Sequence, residues 1–130
     1  MNKTKRNSGF SIMETVIALA IIVMVTLAAL TVIMTSISAR VKATNYGEAQ
    51  DFAHNILECF KAADENSEFE SYVGFAGYTM SVTSNNKYYF ENNKFTAQID
   101  ANCSSGEFEI TINDTKNEEI ISFSYTKGAK

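Results

Sequence analysis

The sequence Ser8-Gly9-Phe10-Ser11-Ile12-Met13-Glu14 precedes an apolar run that extends from Thr15 to Ala39. Residues 1–7 before it contain three basic side chains and no acidic one, and Glu14 is the only charged residue from position 10 to position 39. A helix of about 20 apolar residues crosses a bilayer, so the run is long enough to span a membrane. A carboxylate inside such a segment is unfavourable in free energy and is therefore a candidate for function.

Two simpler explanations of this amino terminus are a secretory signal peptide and a plain single-pass membrane anchor. The basic start fits a signal peptide, and a small-residue cleavage site occurs at Ser36-Ile37-Ser38-Ala39. The apolar run, however, exceeds the roughly 7–15 residues of a typical signal-peptide core. Neither explanation accounts for the positions of Gly9 and Glu14.

These residues resemble the amino terminus of the type IV pilin and type II secretion pseudopilin family. In that family a membrane peptidase, the prepilin peptidase, cleaves after a glycine, which is Gly9 here, and N-methylates the new first residue, Phe10. The fifth residue of the mature chain is a glutamate, which Glu14 matches. The resemblance implies that this carboxylate pairs with the methylated amine of Phe10 on a neighbouring subunit during assembly.

The resemblance is to minor subunits rather than to major pilins. Major pilins usually carry a proline later in the helix, at the position that Thr31 occupies here, and this chain contains no proline. The implied partners are the prepilin peptidase, other pilin or pseudopilin subunits contacted through the amino-terminal helix, an inner assembly platform, and the lipid bilayer before assembly.

The expected organisation has three parts. Residues 1–9 form a leader, residues 10–39 a transmembrane and filament-core helix, and residues 40–130 an extracytoplasmic domain with a helix over 40–63 and a sheet over about 76–126. The basic leader favours a cytoplasmic amino terminus. The body then lies outside the membrane, and the resemblance implies that the cleaved protein resides in a pilus or pseudopilus at the cell surface.

The helix is predicted to continue past the apolar run. Apolar residues from Val41 to Phe60 recur at three- and four-residue steps, which is the pattern of an amphipathic helix. We therefore predict one helix from about Ser11 to Ala63. The hydroxyl groups of its apolar half are expected to bond within the helix, and they belong to Thr26, Thr31, Thr35 and Ser36.

The remaining chain alternates polar and apolar residues between turns rich in asparagine, which is typical of an antiparallel meander. The predicted strands are Tyr78–Val82, Lys87–Glu91, Phe95–Ile99, Phe108–Ile112 and Ile121–Tyr125. The polar, acidic stretch Asp64–Ser71 is expected to end the helix. The fold class is therefore α+β, with a long helix packed on a four- to five-stranded antiparallel sheet, which is also the pilin architecture.

Charge and motif content exclude several functions. The formal net charge is −4, and cleavage after Gly9 would remove three basic residues and bring it to −7. Such an acidic body makes direct DNA binding unfavourable, because phosphate contacts require clustered lysine and arginine. The chain lacks a glycine-rich phosphate loop, a nucleophile elbow and paired catalytic acids. The sequence thus predicts no enzyme, no cofactor and no small-molecule substrate.

Two cysteines and one histidine are the remaining candidates for chemistry. An extracytoplasmic location permits a disulfide between Cys59 and Cys103, but two free thiols are an equally open interpretation. His54 has helical spacing to Asp51 and Glu58, and a solvated helical face explains that spacing better than a metal site. No metal site is predicted.

The leading hypothesis is therefore a minor type IV pilin or pseudopilin, a structural subunit of a pilus or secretion pseudopilus. One alternative is a membrane-tethered extracellular binding module that never polymerises. Another is a competence pseudopilin that aids DNA uptake, which the acidic body does not favour on electrostatic grounds.

Overall fold

Helix α1 is the first element of the computed structural model, which describes residues 11–128. It extends over Ile12–Ala62, close to the predicted span. The chain divides after Val41 into two compact units, and the two are described separately. In the first unit the described residues, 11–41, belong to α1 or its amino-terminal cap, and all of them are exposed.

The second unit contains the rest of α1, a short second helix and one sheet. The further elements are α2 (Asn66–Phe75), β1 (Ser81–Ser84), β2 (Lys87–Glu91), β3 (Phe95–Asn102), β4 (Glu107–Asp114) and β5 (Glu119–Thr126). The five strands pair in sequence order, and every neighbouring pair is antiparallel. The predicted α+β class and the antiparallel meander are confirmed.

Short turns connect the strands, and three of the four contain asparagine, as predicted. Asn85 and Asn86 alone link β1 to β2, because Ser84 pairs directly with Lys87. Asn86 has a φ of 68°, a left-handed conformation that asparagine adopts more readily than most residues. Asn86 therefore suits the two-residue turn that the pairing of Ser84 with Lys87 requires.

Helix α1 ends before Asp64–Ser71, as predicted, but part of this stretch belongs to a second helix that the sequence pattern did not predict. Residues 66–75 form α2, and its apolar residues Phe69 and Val73 lie one turn apart and are buried in the core. The helix ends with the amide of Tyr78 donating to the carbonyl of Val73 and with Gly77 at φ +90°, a glycine-dependent helix end. Because this helix end includes Tyr78, the first strand begins at Ser81 rather than at Tyr78 as predicted.

The core of the second unit lies between α1 and one face of the sheet. The helix contributes a buried stripe, and alternate residues of β3 and β4 face it. Phe60 is fully buried, with its ring centroid 5.0 Å from that of Phe108 and 6.1 Å from that of Phe69. The buried stripe of α1 consists of Ala49, Phe52, Ala53, Ile56 and Phe60.

Polar contacts hold α2 and the end of the chain to this core. The Asn66 side-chain amide donates to the carbonyl of Ala101 at 3.2 Å, and its carbonyl oxygen accepts from the amide of Cys103 at 2.9 Å. At the other end, the Lys127 ammonium donates to the carbonyl of Ala63 and lies over the ring of Phe60. These bonds satisfy backbone groups that the helix and strand ends leave unpaired.

Candidate functional site

The carboxylate of Glu14 is the one charged group in the apolar part of α1 that the structure describes. Ser11 caps the helix, because its side-chain oxygen accepts a hydrogen bond from the amide of Glu14 at 3.2 Å. The order Ser-x-x-Glu is that of a capping box, in which the glutamate would bond back to the serine amide. That return bond is absent among residues 11–128, and no cation in this range pairs with Glu14.

The side chains around Glu14 form an apolar surface on every side of the helix. Met13, Ile17 and Leu19 are each more than half exposed, and the other large apolar side chains along the helix to Val41 are at least about half exposed. Burying one such side chain contributes about 1.5–3 kcal/mol. The surface therefore has a strong tendency to associate with lipid or with another apolar surface.

Hydroxyl groups in this half of α1 do not interrupt its apolar character. The hydroxyl of Thr26 donates to the carbonyl of Ile22 at 2.7 Å, and that of Ser36 donates to Val32 at 2.8 Å. Thr31 and Thr35 bond to backbone carbonyls in the same way. The prediction that these hydroxyls bond within the helix is confirmed. Each of them can therefore lie in an apolar environment without a hydrogen-bond partner from outside the helix.

By length and composition, α1 can cross a membrane. It lies near the amino terminus, and the most apolar part of it has no buried residue. This distinguishes it from the core helix of a soluble protein, in which the apolar residues would be covered by the same chain. The first unit is thus consistent with the single membrane span predicted from the sequence.

The predicted cleavage site, Gly9 and Phe10, lies outside the described residues. The site therefore consists of the cap residue Ser11, the carboxylate of Glu14 and the apolar surface that follows. Sequence reasoning missed the cap, although the Ser-x-x-Glu pattern was a signal that could have revealed it.

Cys59 and Cys103 are free thiols in the structure. Cys59 packs at the edge of the core, whereas Cys103 is buried in the turn that follows β3. Burial raises the pKa of both thiols above their ordinary value. At neutral pH both are therefore protonated, and neither is activated as a nucleophile.

An ion pair, rather than a metal site, explains the charged residue Glu58 on the face of α1 that carries His54. Glu58 pairs with Lys61 at 2.8 Å, and this hydrogen bond and charge lower the pKa of the Glu58 carboxyl. Between residues 11 and 128 no group of three or more histidine, cysteine, aspartate or glutamate residues could hold a metal ion.

Comparison with known proteins gives no family for this chain. No family model, no curated protein and no solved structure matches it. The function is therefore inferred from the residues of this chain and from their geometry.

Proposed function

We propose that the protein is a minor type IV pilin or pseudopilin, a structural subunit that enters a filament through its amino-terminal helix. The observation that carries the proposal is the part of α1 from Ile12 to Ala39, which is apolar on all sides, exposed at every residue, and charged only at Glu14. The resemblance of the sequence around Gly9 supports the same function. The α+β body, with a helix on an antiparallel meander, is compatible with it.

The role proposed for Glu14 follows from approximate free energies. Placing a carboxylate within the bilayer costs about 2.5–3.5 kcal/mol on insertion scales. An ion pair at 4 Å gains about 4 kcal/mol where the effective dielectric constant is near 20. A positively charged amino terminus at Phe10 of a neighbouring subunit would therefore offset the cost of burial, and an unpaired Glu14 favours recruitment of that neighbour.

The proposal defines the partners and the location of the protein. A prepilin peptidase would remove residues 1–9, and an inner assembly platform would transfer the mature chain from the bilayer into the filament. The amino terminus would face the cytoplasm and the body the extracytoplasmic side. The protein would act as a structural subunit without catalysis.

The first experiment determines the mature amino terminus. The protein is purified from membranes of cells with and without prepilin peptidase, and its intact mass and amino-terminal sequence are measured. We expect a chain that begins at N-methylated Phe10 in the first case and at Met1 in the second. A Met1 start in cells with an active peptidase would contradict the proposal and favour the tethered binding module, and a start near residue 40 would indicate a secreted protein.

A second experiment tests the role of Glu14 in assembly. The Glu14→Ala and Glu14→Gln variants should insert into the membrane normally but be lost from sheared filaments, because neither can pair with the amine of a neighbour. Thr15→Ala is the matched control, since it changes the adjacent position and leaves the carboxylate intact. Normal incorporation of Glu14→Gln would show that the negative charge has no role in assembly.

A further inference from the structure

Lys127 alone, among the residues that the structure describes, ties the segment after β5 to the rest of the second unit. Its amide donates to the carbonyl of Gly106 at 2.8 Å, and a Cβ atom added at Gly106 would lie only 3.1 Å from the Cβ of Lys127. Its ammonium donates to the carbonyl of Ala63, beyond the end of α1. The next residue, Gly128, is exposed, and an added Cβ atom there would meet nothing within 4 Å.

The ammonium lies where a positive charge is most favourable for α1. The last carbonyls of a helix lack partners within it, and the helix dipole gives this end a partial negative charge. Ala63 follows the helix directly and is fully buried, so its carbonyl has little access to water. Lys127 supplies a donor from 64 positions further along the chain. We call this contact between the end of α1 and the segment after β5 the Lys127 latch.

The same ammonium also lies on the centre of the core. Its nitrogen is 5.0 Å from the ring centroid of Phe60, which is fully buried, and a cation is attracted to the face of an aromatic ring. Between residues 11 and 128 no carboxylate forms an ion pair with Lys127. The latch therefore depends on one carbonyl and one ring, and loss of the positive charge would weaken both contacts.

The latch forms one wall of an open cavity that contains a buried thiol. The cavity has a volume of about 450 Å³, and Cys103, Lys127, Tyr125 and Asp64 are among its lining residues. Cys103 is only 8% exposed. Burial raises the pKa of its thiol, and the charge of Lys127 opposes that increase. Movement of Lys127 away from this wall would uncover the thiol.

The turns between the strands are held more redundantly than the latch. The side chain of Asn92 accepts hydrogen bonds from two backbone amides at 2.8 Å, and that of Asn102 accepts from two at 3.1 Å. Asp114 accepts from two more, at 2.8 and 2.9 Å. Each of these turns is also fixed by a strand on either side, whereas the latch follows the last strand. Local opening occurs most readily where few contacts hold a segment.

We propose that the Lys127 latch is a charge-dependent closure of the core at the end of α1, and that it opens locally while the sheet stays folded. In the closed state the ammonium binds the Ala63 carbonyl and covers the ring of Phe60. In the open state residues 127–128 leave this position, and the thiol of Cys103 becomes accessible. This inference does not depend on cleavage after Gly9 or on filament entry.

The test measures how fast the two thiols react in the full chain in detergent. Iodoacetamide alkylates the protein at constant pH, and mass spectrometry of peptides follows Cys103 and Cys59 separately. Lys127→Met removes the charge and keeps an unbranched apolar side chain. We expect Cys103 to react about tenfold faster or more, as expected for loss of a hydrogen bond from a charged group. Cys59, at the edge of the core, should react at an unchanged rate.

The electrostatic effect of this substitution has the opposite sign. Without the ammonium the pKa of Cys103 rises further, which lowers the fraction of thiolate and slows alkylation. A faster reaction of Cys103 therefore identifies opening of the latch. It cannot result from the change in charge acting on a thiol that stays covered.

Two variants and one denaturant series serve as controls. Lys127→Arg keeps the charge and the donors and should react like the wild type. Lys116→Met removes an exposed lysine from the turn between β4 and β5 and should leave both thiols unaffected. Low concentrations of urea should barely change the rate at Cys103, because local opening exposes little surface, whereas global unfolding responds steeply. Near-ultraviolet circular dichroism verifies that each variant is folded.

Several results would overturn the proposal. An unchanged or slower reaction of Cys103 in Lys127→Met would show that the latch does not cover the thiol. Equal acceleration at Cys59, or a steep dependence on urea, would assign the effect to global unfolding. A fast reaction in Lys127→Arg would show that packing, and not charge, closes the core. The mature amino terminus is measured separately, so failure here and failure of the pilin proposal are distinguishable.

Discussion

The two halves of helix α1 differ in where their apolar side chains find contacts. From Ser11 to Val41 every residue is exposed, although most of the side chains are apolar. From Lys42 to Ala62 the apolar residues form one stripe, and five of them are buried against the sheet and α2. The second half is therefore stabilised by contacts within the chain, whereas the first half requires lipid or another protein.

This difference shows that the distribution of apolar residues around a helix indicates its environment. A stripe about one third of the circumference wide indicates a core that the same chain supplies, and an apolar surface on all sides indicates an environment outside the chain. Substitutions in the two halves should consequently have different effects on the stability of the protein.

Truncation of a core side chain should give the largest difference in the free energy of unfolding between substitutions in the two halves. Phe60→Ala removes a fully buried ring that contacts Phe69, Phe108 and Tyr125, and we expect a loss of about 3–5 kcal/mol in the free energy of unfolding. Leu27→Ala in the exposed half should leave this value unchanged. Urea unfolding of the full chain in detergent, followed by tyrosine fluorescence, measures both. An equal effect of the two substitutions would contradict the independence of the halves.

High pH should destabilise the body through Tyr88. This side chain is buried. Its burial and, to a smaller extent, its hydrogen bond to Glu70 raise the pKa of Tyr88 from 10.0 to about 12. Because the folded state binds this proton more tightly than the unfolded chain, the contribution is complete below the lower pKa and is lost as the pH rises toward the higher one. The free energy of unfolding should fall by at most about 1.4 kcal/mol per pH unit in that range.

Tyr88→Phe is the control for this pH dependence. The variant lacks the ionisable hydroxyl, so its free energy of unfolding should fall less steeply than that of the wild type between about pH 10 and about pH 12. Other tyrosines and lysines titrate in both proteins, and the difference between the two curves isolates Tyr88. Parallel curves would show that Tyr88 has the same pKa in the folded and unfolded states.

A substitution near the start of the second half of α1 should have a weaker effect on the free energy of unfolding, and in the opposite direction. Gly47 lies in the interior of α1, and an added Cβ atom would meet no other atom within 4 Å. Gly47→Ala should therefore raise the free energy of unfolding by about 0.5–1 kcal/mol, because glycine is disfavoured inside a helix. The same urea titration measures it. A decrease would show that α1 requires the flexibility of glycine at this position.

Regular periodicity made most of the fold predictable. The spacing of apolar residues predicted α1 to within a few residues of Ile12–Ala62, and alternation predicted β2 over Lys87–Glu91 as observed. Strand β1 was placed too early because Tyr78 belongs to the end of α2. Helix α2 was missed because its two buried apolar residues, Phe69 and Val73, are too few to give a clear period among polar neighbours.

The candidate site was predictable in part. The position of Glu14 within the apolar run was evident from the sequence, whereas the cap at Ser11 was overlooked. A groove between α1 and β5 could not be predicted, since Leu57 and Phe123 are distant in the chain and become its two walls only after α1 packs on the sheet.

The sequence by itself determined the α+β class, the length of α1 and its two kinds of surface, because helical and strand periods are local properties of the chain. Contacts between distant residues determine that residues 66–75 form a helix, that Cys59 and Cys103 are free thiols, and that β5 lies beside a groove with both polar and apolar lining residues. These features depend on which distant residues come into contact, and local patterns do not contain that information.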